Sequence, residues 1–251
     1  MDLGLKNKVV VVTGGAGIKG SIGETIVQEL ANEGAIPVIV DRNKRGFDYE
    51  KELQEKGVDA LFAQTDVTSP DQMEKAFEKI TEKHGKIDAL INNVGVNDGI
   101  GLDASYEEFV GSLKLNLVSY FLAVKLSLEK LKASKGSILN IGSKVGYTGQ
   151  GATSGYAASK GGVLALTREW AVDLINEGIR CNCLVIAESW TPAYDNWIKT
   201  LENGEEKLAG IKEKIPFENR MTTPEEIAYN ALFLISEKAS HTTGQHVFVD
   251  G

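Results

Sequence analysis

The chain has 251 residues, 42% of them hydrophobic and 25% charged, with 27 glycines and a formal net charge of −8. That length lets one α/β core close as a single domain over residues 1–251. The acidic balance argues against a nucleic-acid partner or an anionic membrane surface, and no stretch approaches the roughly 18–20 apolar residues of a bilayer span.

The N-terminal apolar run Val9–Thr13 lacks the flanks of a secretory signal and reads as a buried first strand of a cytoplasmic protein. It leads into Thr13-Gly14-Gly15-Ala16-Gly17-Ile18-Lys19-Gly20-Ser21-Ile22-Gly23 and a helix over Ser21–Glu33. A second strand, Ile36–Val40, ends at Asp41-Arg42 and is followed by a helix over Tyr49–Lys56. A third, Ala60–Gln64, precedes Asp66-Val67 and a helix over Pro70–His84, which Ser69-Pro70-Asp71 opens with an N-cap, a proline and an acidic first turn. The fourth, Ile87–Ile91, runs into Asn92-Asn93-Val94-Gly95, and a long helix covers Tyr106–Ala133. Strand Ser137–Ile141 precedes Ser143, and a helix spans Ser154–Asn176. After strand Ile179–Val185 comes the least regular stretch, Glu188–Gly210, a candidate substrate lid. Helix Pro224–Ser236, opened by the same Thr-Pro-Glu device, and strand His246–Val249 complete the pattern.

Gly34, Gly57, Gly85 and Gly178 each follow a helix, where a left-handed terminating residue is wanted. Alternating β and α elements with nearly continuous apolar strands predict a doubly wound parallel sheet with helices on both faces. Cys181 and Cys183 are read as buried thiols in a reducing compartment, facing opposite sides of their strand, with neither a disulfide nor a metal site in prospect.

Glycines at a strand-to-helix turn let backbone amides close on a pyrophosphate at a helix N-terminus, so Gly14, Gly17, Ser21, Ile22 and Gly23 are candidate dinucleotide contacts, or else a flexible turn. Asp41 can accept both ribose hydroxyls of an adenosine and repel a 2′-phosphate, which favours NAD; Arg42 beside it would suit NADP. Asp66 and Val67 stand where an adenine edge could be held, and Asn93 and Gly95 follow another strand at the same end of the sheet. Tyr156 and Lys160 lie four apart on one helix face, thirteen residues beyond Ser143. An ammonium and an oxidised nicotinamide beside a phenol both favour phenolate, so Tyr156 is expected to be acidified and to act as general base. Ser143 would orient the substrate oxygen, and Asn116 would fix a water linking Lys160 to solvent.

Together these residues resemble the short-chain dehydrogenase/reductase family over essentially the whole chain. The resemblance implies a Rossmann-type doubly wound parallel sheet of about seven strands, a homotetramer, and a catalytic tetrad of Asn116, Ser143, Tyr156 and Lys160. It also implies a carboxamide contact at Thr191. Narrower blocks include Val96–Asp103, Thr148–Gly151, Ala165–Trp170, Asn196-Trp197-Ile198 and Ser240–Gly244. These are similar to the bacterial L-fucose dehydrogenases of that family, which oxidise an anomeric carbon to a lactone. On that reading the partner is a small-molecule sugar, L-fucose or a stereochemical relative. Asn97, Gln150, Glu188, Trp190 and Asn196 are its candidate contacts, with Asp98 and Trp197 nearby. Two departures stand out: the Thr13–Gly23 loop is eleven residues rather than eight, with Ser21 in place of the middle glycine, and Ile186-Ala187 replaces the family's Pro-Gly. The alternatives are a hydroxysteroid or 3-oxoacyl-thioester reductase, which would want an apolar lid, and a non-catalytic dinucleotide-binding protein. An enoyl reductase would space its tyrosine and lysine more widely.

Overall fold

The computed structural model describes residues 2–251. Among the described residues there are seven strands: β1 Val9–Thr13, β2 Ile36–Asp41, β3 Leu61–Gln64, β4 Ala89–Asn92, β5 Ser137–Ser143, β6 Arg180–Ile186 and β7 His246–Val249. They form one sheet in the order β3-β2-β1-β4-β5-β6-β7 with every pairing parallel, the Rossmann-type arrangement expected. The chain reverses direction across the sheet between β1 and β4, which opens a crevice at their carboxyl ends.

Alternation along the strands assigns the two core layers. Val9 and Val11 of β1, Val38 and Val40 of β2, Leu90 of β4 and Ile138 of β5 face α3 (Pro70–His84), α5 (Ser119–Ser134) and α6 (Ser154–Asp173). Val10 and Val12, Ile39, Ile91, Leu139 and Ile141 face α1 (Ile22–Asn32), α2 (Arg45–Glu55) and α9 (Pro224–Ile235). With side chains on both faces removed from water, at about 1.5–3 kcal/mol for each large aliphatic group, the continuous apolar runs are explained. Cys181 and Cys183 lie in the same layer rather than on opposite faces, because residues two apart on a strand share a face; both are buried and unpaired.

Two strands run further than their apolar cores. β2 continues to Asp41, paired with Gln64, and β5 to Ser143, paired with Ile186. Ladder hydrogen bonds satisfy the backbone there whatever the side chain is, so the polar ends stay extended and project from the rim. Gly34, Gly57, Gly85 and Gly178 all take left-handed conformations at helix ends. Ser69 is the N-cap of α3, although its hydroxyl makes no capping bond, whereas Thr223 and Glu226 form a reciprocal capping box on α9.

The long helix expected over Tyr106–Ala133 is three pieces: α4 (Tyr106–Leu113), a π-helical turn over Lys114–Val118, and α5. Its combined length and mean hydropathy of 1.4 over the most apolar window match a membrane span by composition, which corrects the expectation that no stretch comes near one. Tyr120, Ala123, Val124 and Leu131 on α5 are buried against the sheet. The stretch after β6 is also more regular than expected: it holds α7 (Pro192–Lys199) and α8 (Gly204–Lys212).

Candidate active site

The cofactor side of the crevice is built from the glycine loop, β4 and the end of β2. A Cβ on Gly23 would fall 2.1 Å from the Gly14 carbonyl oxygen, and one on Gly17 would fall 2.6 Å from Ser21 Oγ. These glycines therefore leave a bare-backbone cradle at the N-terminus of α1. The Ser21 hydroxyl, at the N-cap, is buried with no hydrogen-bond partner. An orphaned donor at a helix N-terminus inside a glycine cradle fits a pyrophosphate. Ile22 begins the helix beside it.

The longer loop is tied down by groups that sequence spacing did not suggest. The Gly20 amide donates to Glu24 Oε2 at 3.0 Å, and the Arg45 guanidinium donates to the Gly17 carbonyl and lies 3.7 Å from Glu24 Oε1. Arg45 reaches back from the first residue of α2, so only the fold brings it near. Asp41 Oδ2 accepts from the Ala16 amide at 2.9 Å, and its other oxygen accepts from Asn43 N at 2.9 Å. Asp41 thus stands against the glycine loop. Arg42 is exposed, with its carbonyl held by Gln64. Asp66 accepts from both the amide and the hydroxyl of Thr68, which hold its carboxyl below the usual range, and Val67 behind it is buried. Asn93 clips the crevice together: its Nδ2 donates to the carbonyls of Thr13 and Gly14 at 3.0 and 3.1 Å.

The proton-transfer candidates converge at the same rim. Ser143 stands at the tip of β5, and Tyr156 and Lys160 share the inner face of α6. That helix is pinned to the sheet by a buried polar chain: Asn92 Nδ2 donates to Asn140 Oδ1 at 3.0 Å, and Asn140 Nδ2 donates to Thr167 Oγ1 at 2.9 Å. The Lys160 nitrogen lies 5.6 Å from the Tyr156 ring centroid. Against expectation, the Tyr156 phenol is raised above its ordinary value; burial is the main cause, Ser143 pulls it back, and the Asp98 carboxylate raises it further. The lysine's nitrogen points past the phenol, donating to the Ile141 carbonyl at 2.7 Å and to Tyr120 Oη at 3.1 Å. Burial lowers Lys160 to about 8.

Asn116, expected to fix a water, has its side chain turned to the backbone of the segment after β4. Its side chain is consumed at both ends, accepting from Val96 N at 2.8 Å and donating to Val96 O at 3.1 Å. It sits in the π-helical turn and fixes the segment after β4. Gly95 lies between the two groups, since a Cβ there would be 3.3 Å from Lys160 Nζ and 3.4 Å from Asn116 Oδ1.

On the substrate side, Asn97, Asp98, Gln150 and Asn196 are exposed around the rim. The Glu188 carboxylate is engaged by the Lys144 ammonium and by Tyr194 Oη at 3.1 Å. Lys144, next to Ser143, and Tyr194, on α7, are rim residues that the sequence reading passed over. Thr191 caps α7, its hydroxyl accepting from Tyr194 N at 3.2 Å. Trp190, Tyr194 and Trp197 form an aromatic cluster, with centroids 6.2 Å apart for the first pair and 5.2 Å for the second. Pro192, at the start of α7, lies on the glycine-loop side of the crevice, 3.6 Å from where a Cβ on Gly20 would stand. Among the described residues, no three His, Cys, Asp or Glu side chains gather as a metal site.

The family model described as "Enoyl-(Acyl carrier protein) reductase" matches residues 15–251. The chain is 34% identical to the L-fucose dehydrogenase of Oryctolagus cuniculus over 97% of this chain and 84% of that relative. The chain belongs to the short-chain dehydrogenase/reductase family. Within the family it is also 33% identical to a 3-oxoacyl-[acyl-carrier-protein] reductase of Thermotoga maritima, covering 98% of each chain. Among solved structures, Cj0485 dehydrogenase is 42% identical with a TM-score of 0.94, covering 100% of this chain and 95% of that one. L-sorbose reductase from Gluconobacter frateurii, complexed with NADPH and L-sorbose, is 27% identical with a TM-score of 0.94, covering 100% and 98%. As a short-chain dehydrogenase/reductase, the protein is an NAD(P)-dependent oxidoreductase acting on a small molecule.

Proposed function

We propose that the chain, working as one domain, is an NAD-dependent sugar 1-dehydrogenase that oxidises the anomeric carbon of L-fucose, or a relative such as L-galactose or D-arabinose, to a lactone. The observation that carries the proposal is the rim beside Ser143 and Tyr156. It presents the Lys144–Glu188 pair, the Tyr194 hydroxyl and the indoles of Trp190 and Trp197, a set suited to hydroxyl-rich pyranose faces rather than to a steroid or an acyl chain. The L-fucose dehydrogenase relative supports the same class.

In this mechanism Gly14, Gly17, Ser21, Ile22 and Gly23 hold the pyrophosphate and Asp41 takes the ribose hydroxyls, which favours NAD. Asp66 and Val67 line the adenine, Asn93 and Gly95 the far wall, and Thr191 the carboxamide. A bound nicotinamide would accept hydride and bring positive charge beside the phenol. Ser143 orients the anomeric oxygen, and Tyr156 removes its proton as hydride leaves C1. Because burial holds the phenol up, Tyr156 needs that cationic field together with Lys160 to work near neutral pH. Asn116 serves by fixing the backbone at Val96. Asn97, Gln150, Glu188, Trp190 and Asn196 contact the sugar. A cytoplasmic homotetramer completes the proposal, with exposed Phe121, Val172 and Ile175 on one side and Tyr229, Phe233 and Phe248 on the other as apolar faces for assembly.

The test is reduction of NAD and NADP against a panel of aldoses, hydroxysteroids and 3-hydroxyacyl thioesters, with Tyr156→Phe as control. NAD reduction with L-fucose-like aldoses, lost in Tyr156→Phe while cofactor binding persists, is expected. Turnover of a steroid or thioester with no aldose active would overturn the sugar assignment.

A further inference from the structure

If Tyr156 is the base, Lys160 is the group that must stay charged beside it, and the inference here rests on that reading. The Lys160 nitrogen is fully buried. Its titratable neighbours are few: Tyr156 on its own helix, Tyr120 from α5, and the Cys183 thiol from β6, whose influence opposes the loss of charge. Asp98 bears on Tyr156 from the segment after β4. Two oxygen acceptors receive the ammonium directly, the Ile141 carbonyl at 2.7 Å and Tyr120 Oη at 3.1 Å.

Tyr120 is suited to this. It is 1% exposed, and its single hydroxyl proton goes to the Val94 carbonyl at 2.9 Å, with the Ile141 carbonyl at 3.2 Å, which leaves its lone pairs toward the lysine. Burial keeps the phenol protonated, so it serves as a neutral acceptor. The ring adds a second attraction, with the nitrogen 5.1 Å from its centroid. Its four contacts also tie α5, the segment next to Gly95, β5 just before Ser143, and α6 into one cluster.

We propose that Tyr120 is a positioning residue for Lys160: together with the Ile141 carbonyl it holds the ammonium charged and in place one helical turn from Tyr156. A hydrogen bond to the charged form favours that form, so removing one of two acceptors in a dry pocket lowers the lysine's affinity for its proton by roughly one pH unit, or tenfold. At neutral pH the lysine then passes from largely charged to about half charged, and Tyr156 loses cationic support.

The direct test is NMR titration of the purified full chain carrying lysine labelled with carbon-13 at Cε, the Lys160 signal being assigned by its loss in Lys160→Met. Tyr120→Phe keeps the ring and removes only the acceptor. The Lys160 midpoint is expected near 8 in the parent and about one unit lower in Tyr120→Phe. Tyr120→His, which keeps a ring acceptor, should hold the midpoint nearer the parent value, and this comparison remains if the Phe chain does not fold. In turnover, Tyr120→Phe should move the acid limb of kcat/KM upward and lose several-fold activity at pH 7, with the loss shrinking as pH rises. A merely structural role would lower turnover by the same factor at every pH and leave the lysine midpoint unmoved; an unmoved midpoint overturns the proposal. The titration needs neither substrate nor cofactor, so a failure of the sugar assignment would show only in the turnover panel.

Discussion

Gly23→Ala tests the tightness of the bare-backbone cradle. The new Cβ would start 2.1 Å from the Gly14 carbonyl oxygen and 2.5 Å from Asn93 Nδ2. Non-bonded heavy atoms settle near 3.5 Å, so the start of α1 must retreat from β1 by about 1–1.5 Å. That retreat strains the two bonds by which Asn93 clips the carbonyls of Thr13 and Gly14. Overpacking of this kind costs about 1–3 kcal/mol and each weakened hydrogen bond about 1 kcal/mol. A total near 3–5 kcal/mol is a large share of a stability of about 5–15 kcal/mol. Urea unfolding followed by circular dichroism should show that loss. Calorimetry with NAD, at a temperature where both chains are folded, should show affinity weakened at least tenfold, because the displaced amides are the ones proposed to hold the pyrophosphate. A Gly23→Ala chain as stable as its parent and binding NAD equally well would mean that the dinucleotide is held elsewhere.

Two other perturbations probe different parts of the molecule. Asp41→Ala should narrow the NAD-over-NADP preference in kcat/KM by roughly tenfold or more, the scale of one removed charge near a 2′-phosphate; because Ala16 and Asn43 also lose an acceptor, affinity for both cofactors should drop as well, and an unchanged ratio would refute the role given to that carboxylate. Glu226 is held down at about 2, first by Arg220 and then by the Thr223 amide. A depressed carboxyl stabilises above its unfolded value near 4.5 and loses that contribution as pH falls toward 2. Being partly exposed, it is worth little: Glu226→Gln should lower the thermal midpoint at pH 7 by roughly 2 °C and flatten the acid loss of stability between pH 4.5 and 2 in a calorimetric series.

The doubly wound sheet was legible because seven apolar runs of strand length alternate with helical stretches, and their burial on both faces demands that pattern. The ends of β2 and β5 were not, since Asp41 and Ser143 are polar and only ladder pairing keeps them extended. The lid helices escaped because each is short and buries little, chiefly Ile198 on α7 and Gly204 on α8. Thr191-Pro192 nevertheless repeats the Thr223-Pro224 opening of α9, a signal sufficient to mark α7. The catalytic candidates were legible as a spacing, but the electrostatics were not. Adjacency of Tyr156 and Lys160 suggests an acidified phenol, whereas burial raises it against the pull of Ser143, and the lysine's acceptors come from β5 and α5. Arg45 and Tyr120 carry no motif; a surface-like arginine and an apolar-stripe tyrosine gain their contacts only through tertiary packing.

The π-helical turn over Lys114–Val118 has a consequence for how the helix around it is phased. In a regular helix each residue advances about 100°, and one widened turn offsets everything downstream by about that angle. Asn116 can consequently aim at Val96 while Tyr120, four positions later, aims at Lys160. The wide turn behaves as a phase shifter that lets one rod serve two targets, so insertions or deletions within it would rotate the downstream half of the rod as a block.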